Sequence, residues 1–193
     1  MPNIMQLKIT LRDSQPPIWR RIKIKDNISF HKLHEIFQVV MGWTNSHLYD
    51  FQVDGQRLSV PKYFDWDDKL MDSRKIRIST LKPSQKFDYT YDFGDCWEHQ
   101  IIVEKIEPNE MGLPHPVCIK GKLSCPPDDC GGIGGYYRLL HVRRNKNHPE
   151  YKELIKEWLG EDFDPNYFEI EEINKELMER FIDGRTRYWV IEK

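Results

Sequence analysis

Four groups of residues carry chemistry. The densest is Tyr91-Asp92-Phe93-Gly94-Asp95-Cys96-Trp97-Glu98-His99. Three carboxylates and an imidazole at one hairpin end suit a hard cation or general acid/base work. Ordinary turn chemistry uses the same residues, with Asp92 and Asp95 capping backbone N–H groups and Trp97 plugging the core. Strand alternation sets Tyr91 and Asp92 on opposite faces, so not all of these groups can meet.

The second group is Cys125-Pro-Pro-Asp-Asp-Cys130-Gly-Gly-Ile-Gly-Gly135. Glycines before a helix can present N–H groups to an anion. No Lys-Ser/Thr pair follows and no apolar strand precedes, so neither nucleotide fingerprint is met. Asp128 and Asp129 would repel phosphate. The third group is His115, Cys118, Cys125 and Cys130, spaced H-x2-C-x6-C-x4-C. It offers four zinc-type ligands at looser spacing than paired C-x2-4-C sites, and reduced thiols packed in a loop explain it as well. The fourth is basic: Arg20, Arg21 and Lys23 beside Trp19, then Arg138, His141, Arg143, Arg144 and Lys146. Cations beside aromatics grip nucleic acid, and a solvated strand face and helix end look the same in sequence. No nucleophile elbow and no H-E-x-x-H occurs.

These groups sit in 193 residues with 31% charged, 39% hydrophobic and 12% aromatic side chains, a globular composition of one-domain length. No apolar run is long enough for a membrane helix, and the start has no basic-then-apolar leader pattern. The net charge of -2 is uneven: residues 148–193 alone carry -6. That segment is a poor partner for phosphate, and the regions near Arg20 and Arg143 are better ones.

The elements that must position the groups are legible in outline. Met5, Leu7, Ile9 and Leu11 alternate with polar residues, as do Ile22 and Ile24 with Arg21, Lys23 and Lys25, which predicts two strands paired across Asp13–Pro17. Ser29 is placed to cap a helix with Phe30, Leu33, Ile36, Phe37, Val40 and Met41 on one face, and Gly42 to end it. Tyr49, Phe51 and Val53 mark a further strand. Phe87–Phe93 and His99–Ile106 read as a hairpin turning at Gly94 and Asp95. A short helix is expected over Tyr136–His141, a second over Tyr151–Trp158, and a third starting at Asp164-Pro165 and running through Ile170, Ile173, Leu177 and Phe181. Tyr188–Ile191 reads as an added strand.

The same residues, in order, resemble a known family. Pro-Pro-Ile-Trp-Arg-Arg at 16–21, Leu-His-Glu at 33–35, Met-Gly-Trp at 41–43 and His47-Leu48-Tyr49-Asp50-Phe51 come first. Tyr91-Asp92-Phe93-Gly94-Asp95 with Trp97-Glu98-His99, Cys125-Pro-Pro-Asp-Asp-Cys130-Gly-Gly, Trp158-Leu159-Gly160 and Phe163-Asp164-Pro165 complete the series. The set is similar to the plasmid pRiA4b ORF-3-like family over about residues 5–178, and departs from it at Cys96. The resemblance implies an α+β fold and a bacterial or archaeal source, brings no established activity, and carries labels such as insertion-element passenger or TnpR-like. A serine recombinase needs an activated Ser among arginines; Ser14 lies in a Pro-flanked linker and Ser29 reads as a cap, so no recombinase activity is carried over.

The expectation is one α+β domain over 1–193: a sheet-rich core with one helix (1–107), a Pro/Cys loop (108–130) and a helical region (131–185). The sheet is mixed or antiparallel with a ββαβ start, as in a roll or β-grasp. The functional expectation is a cytoplasmic binding or accessory protein of a mobile-element-associated family. Its site joins the Asp92–His99 hairpin end to the Asp128–Gly135 loop, using Asp92, Asp95, Trp97, Glu98, His99, Asp128, Asp129, Gly131 and Tyr136 toward a protein or small-molecule partner. One alternative is a metal-dependent or acid/base enzyme using Asp92, Asp95, Glu98 and His99. The other is a nucleic-acid binder using Arg20, Arg21, Lys23, Arg143 and Arg144. No cofactor is expected; zinc at His115, Cys118, Cys125 and Cys130 is the one candidate metal. No membrane partner is expected.

Overall fold

The computed structural model describes residues 2–64, 66–110 and 112–181. The opening is β1 (Asn3–Leu11), β2 (Trp19–Lys25), α1 (Phe30–Met41) and β3 (Tyr49–Val53), followed by β4 (Gln56–Ser59) and β5 (Met71–Asp72). Then come β6 (Lys86–Tyr91), β7 (Trp97–Pro108), β8 (Val117–Lys122), α2 (Gly132–Arg143), a π-helix (Lys152–Leu159) and α3 (Ile170–Phe181). The eight strands among the described residues form one sheet in the order β5-β4-β3-β6-β7-β1-β2-β8. Every pairing is antiparallel except β4 with β5. The fold is α+β.

Strand parity decides which residues go inside. Met5, Leu7, Ile9 and Leu11 of β1, Ile22 and Ile24 of β2, Phe87, Tyr89 and Tyr91 of β6, and Trp97, Ile101 and Val103 of β7 are buried with α1. The interleaved residues form the other face, where cross-strand ion pairs run between Arg21 and Glu104, Lys23 and Glu107, and Arg12 and Asp88. α1 starts where the Ser29 hydroxyl accepts the Lys32 N–H (3.2 Å) and stops at Gly42, whose φ of 78° suits a residue without a Cβ.

Several expectations are corrected. The 108–130 segment contains β8, which pairs with β2 through Ile22–Cys118 and Arg20–Gly121. β4 and β5 are strands that sequence periodicity did not reveal. α2 already begins at Gly132, and the segment after Pro149 winds as a π-helix rather than an α-helix. α3 begins at Ile170, not at Asp164. There the Asp164 carboxylate instead accepts the Asn166 N–H (2.9 Å), and its carbonyl accepts the Ser124 hydroxyl, which fixes a turn. Tyr188–Ile191 lies outside the described residues. Among the described residues, no helix is long and apolar enough to cross a membrane.

Candidate functional site

Three loops converge at one end of the sheet. The first is the β6–β7 turn, where Asp92 and Cys96 both adopt left-handed backbone (φ 54° and 57°). An Asp tolerates that conformation because its short side chain bonds locally, and here Asp92 Oδ1 accepts the Gly94 N–H at 2.9 Å. The second is the Cys125–Gly135 loop. Gly131 N–H donates to Asp95 Oδ2 (3.1 Å), so the first two loops are joined directly. Their approach is too close for side chains: a Cβ on Gly132 would lie 2.4 Å from the Asp95 carbonyl oxygen.

The third loop, residues 43–48, leaves the end of α1. The Trp43 indole N–H donates to the Pro126 carbonyl (3.0 Å), and Thr44 donates to Asp128 Oδ2 through its N–H and its hydroxyl. The Ser46 N–H donates to the Tyr91 hydroxyl (3.1 Å). A buried polar chain holds this loop from behind. Asn45 N–H donates to Gln38 Oε1, Gln38 Nε2 donates to the Tyr89 hydroxyl, and His34 bridges Tyr89 and Asn45. Asn45 Oδ1 can only accept, so His34 carries its proton on Nε2 and accepts the Tyr89 O–H at Nδ1. Burial holds that imidazole neutral, with its pKa lowered to about 3.

The convergence places His47, Asp92 and Asp129 together, their donor atoms all within 4.8 Å of one another. His47 Nε2 lies 3.1 Å from Asp129 Oδ1 and 3.8 Å from Asp92 Oδ2. Its angle forms no hydrogen bond, which leaves that buried nitrogen without a partner. Asp128 Oδ1 is buried and unpartnered as well. Asp92 is only 7% exposed. Among the described residues, no Lys or Arg forms an ion pair with Asp92, Asp95, Asp128 or Asp129. The negative field shows in its neighbours. Burial, and then Asp95, Asp128 and Asp129, push the Cys130 thiol up to about 12; burial and then Asp128 push the Tyr91 hydroxyl up to about 12. Beside the cluster opens a recess of about 490 Å³, with His47 in its wall together with His31, His34, Tyr49 and Tyr63.

Other expected site residues fall elsewhere. Trp97 is buried beneath the loops, 5.9 Å from Trp43 between ring centroids. His99 is fully buried; its Nδ1–H donates to the Tyr89 carbonyl (3.3 Å), and burial lowers its pKa to about 4. Glu98 is exposed on the opposite face, because adjacent strand residues point opposite ways. The quartet Asp92, Asp95, Glu98 and His99 therefore forms no single group. Tyr136 lines a different recess, near Arg143.

The cysteines do not converge on a zinc site. His115 faces the Pro116 carbonyl, Cys118 the Lys120 carbonyl, Cys125 faces Arg20 and Met41, and Cys130 the Gly132 carbonyl. Burial raises all three thiols. Nor is Arg20 a surface cation. In phase with Ile22 and Ile24, it is 3% exposed and donates to the carbonyls of Val40, Trp19, Lys122 and Leu123. Arg21 and Lys23 are paired with Glu104 and Glu107.

Comparison with known proteins gives the family. The description "Plasmid pRiA4b ORF-3-like protein" matches residues 3–172. The chain belongs to the plasmid pRiA4b ORF-3-like family. A relative, "Uncharacterized protein y4hQ" of Sinorhizobium fredii (strain NBRC 101917 / NGR234), is 33% identical over 177 residues, 90% of each chain. The fold is similar to the crystal structure of "Protein of Unknown Function MM3350" from Methanosarcina mazei Go1. That match has a TM-score of 0.81 and 34% identity, and covers 89% of this chain and 98% of that one. Three of the family-like motifs quoted above, far apart in sequence, supply His47, Asp92 and Asp129. His47 was missed as a site residue because nothing near it in sequence is a ligand: the carboxylates that face it are 45 and 82 residues away.

Proposed function

We propose that this member of the family is a binding protein that holds a divalent cation at His47, Asp92 and Asp129 and receives a small ligand in the adjoining recess. The observation that carries the reading is the trio itself, three protein donors within 4.8 Å of one another with the buried His47 nitrogen left unpartnered. Ligands around a tetrahedral ion at 2.0–2.2 Å stand about 3.3 Å apart, so small side-chain adjustments would close the set. One imidazole with two carboxylates suits Zn²⁺ or Mn²⁺, and three protein donors leave a coordination position for a ligand from the recess. The same proposal sets the protein in the cytoplasm, supported by four free thiols. It also makes the protein an accessory of mobile elements, supported by the plasmid in the family's description. Equilibrium dialysis against Zn²⁺ and Mn²⁺ tests the site. Near-stoichiometric binding of one of them, lost in H47Q and D92N, is expected. Less than about a tenth of an equivalent of either metal, or binding indifferent to both substitutions, overturns it.

A further inference from the structure

We propose a second site, of opposite sign, at the C-terminal end of α2: a recess that binds a small organic anion, a single ring bearing a phosphate. The recess measures about 300 Å³, and among the described residues no Asp or Glu lines it. Three cationic or protonatable side chains line it, His141, Arg143 and Arg144. Among the described residues, none of the three is in an ion pair, whereas Arg138 one turn earlier is paired with Glu150. The helix dipole favours cations at this end, which accounts for their presence. It does not account for Arg143 Nε, which is buried with no hydrogen-bond acceptor. Buried donors are nearly always satisfied, so a turn of the Arg143 side chain into the recess, beside the second guanidinium of Arg144, would let an arriving acceptor satisfy this one. Phosphate oxygens match the guanidinium fork in shape and charge.

The remaining walls fix the rest of the ligand. Pro16, Ile18, Tyr136 and Leu140 offer an apolar slot. Tyr137 straps the Asp13–Pro17 turn over it by accepting the Gln15 N–H. A volume of about 300 Å³ lies at the lower end of small-molecule sites, room for one ring and its head group rather than a dinucleotide.

Isothermal titration with phenyl phosphate, inorganic phosphate and a short DNA duplex tests the proposal on the full chain. Saturable binding of phenyl phosphate, tighter than that of inorganic phosphate and weakened by salt, is expected. R143Q and R144Q should each weaken it about tenfold. Arg144 is exposed, so R144Q keeps the test decisive if R143Q lowers the melting point. D92N, which removes the proposed metal site, should leave phenyl phosphate binding unchanged. Absence of saturable binding, indifference to R144Q, or binding of the duplex without binding of phenyl phosphate would overturn the proposal. Equal affinity for phosphate and phenyl phosphate would overturn the ring.

Discussion

The outer face of the sheet and the three-loop end both carry charge and use it differently. On the sheet, Arg21 lies against Glu104, Lys23 against Glu107 and Arg12 against Asp88. At the loop end, Asp92, Asp95, Asp128 and Asp129 meet an imidazole, backbone N–H groups and a threonine, and among the described residues no Lys or Arg is paired to them. The charges of these three pairs neutralise one another inside the protein. Charge on the loops is oriented by the protein and left available. The difference follows from geometry: side chains standing on one face of the sheet reach each other across an intervening strand, whereas the loop carboxylates are set by left-handed turns and close glycine contacts.

The contrast can be tested by its consequences. The largest expected effect is on the buried polar support behind the loop end. His34 and His99 are neutral in the fold, at about 3 and about 4 against an ordinary 6.5. The unfolded chain therefore binds more protons between pH 6.5 and about 4, and stability is lost as pH falls through that window, on the order of 3 kcal/mol for each histidine. Chemical denaturation at pH 7 and pH 5 measures it; a flat profile would show that these imidazoles are not buried neutral. Next is Gly132→Ala, which drives a Cβ into the Asp95 carbonyl at a left-handed position (φ 66°). It should cost about 3 kcal/mol and weaken metal binding by parting the two loops. H47Q should abolish metal binding yet change metal-free stability by less than about 1 kcal/mol, since His47 is a half-exposed loop residue. Smallest is Arg21→Ala, breaking a partly exposed pair with Glu104, at under about 1 kcal/mol and with no effect on metal binding. A larger loss from R21A than from G132A would reverse the comparison.

Much of the frame was legible from local pattern. The α1 face, its Ser29 cap and its Gly42 stop follow from helical spacing, and the β1, β2, β6 and β7 interiors follow from alternation. Parity also held information that the basic reading of Arg20 overlooked: a residue in phase with Ile22 and Ile24 faces inward. β8 was illegible because Val117–Lys122 has only Cys118 buried, and its pairing is decided by β2. The acidic turn and the glycine loop were both visible as candidates. Their relation to His47 was not, since no periodicity links residues in three separate loops.

By itself the sequence determined which residues alternate, which glycines could turn the chain, and that carboxylates crowd two turns, because those depend on neighbours one to four residues away. Only the tertiary structure decided that Arg20 is spent on carbonyls, that His99 and Glu98 part company, and that His47 completes the cluster. Those outcomes depend on which strands pair and on the loops that this pairing brings together, and such contacts arise between residues far apart along the chain.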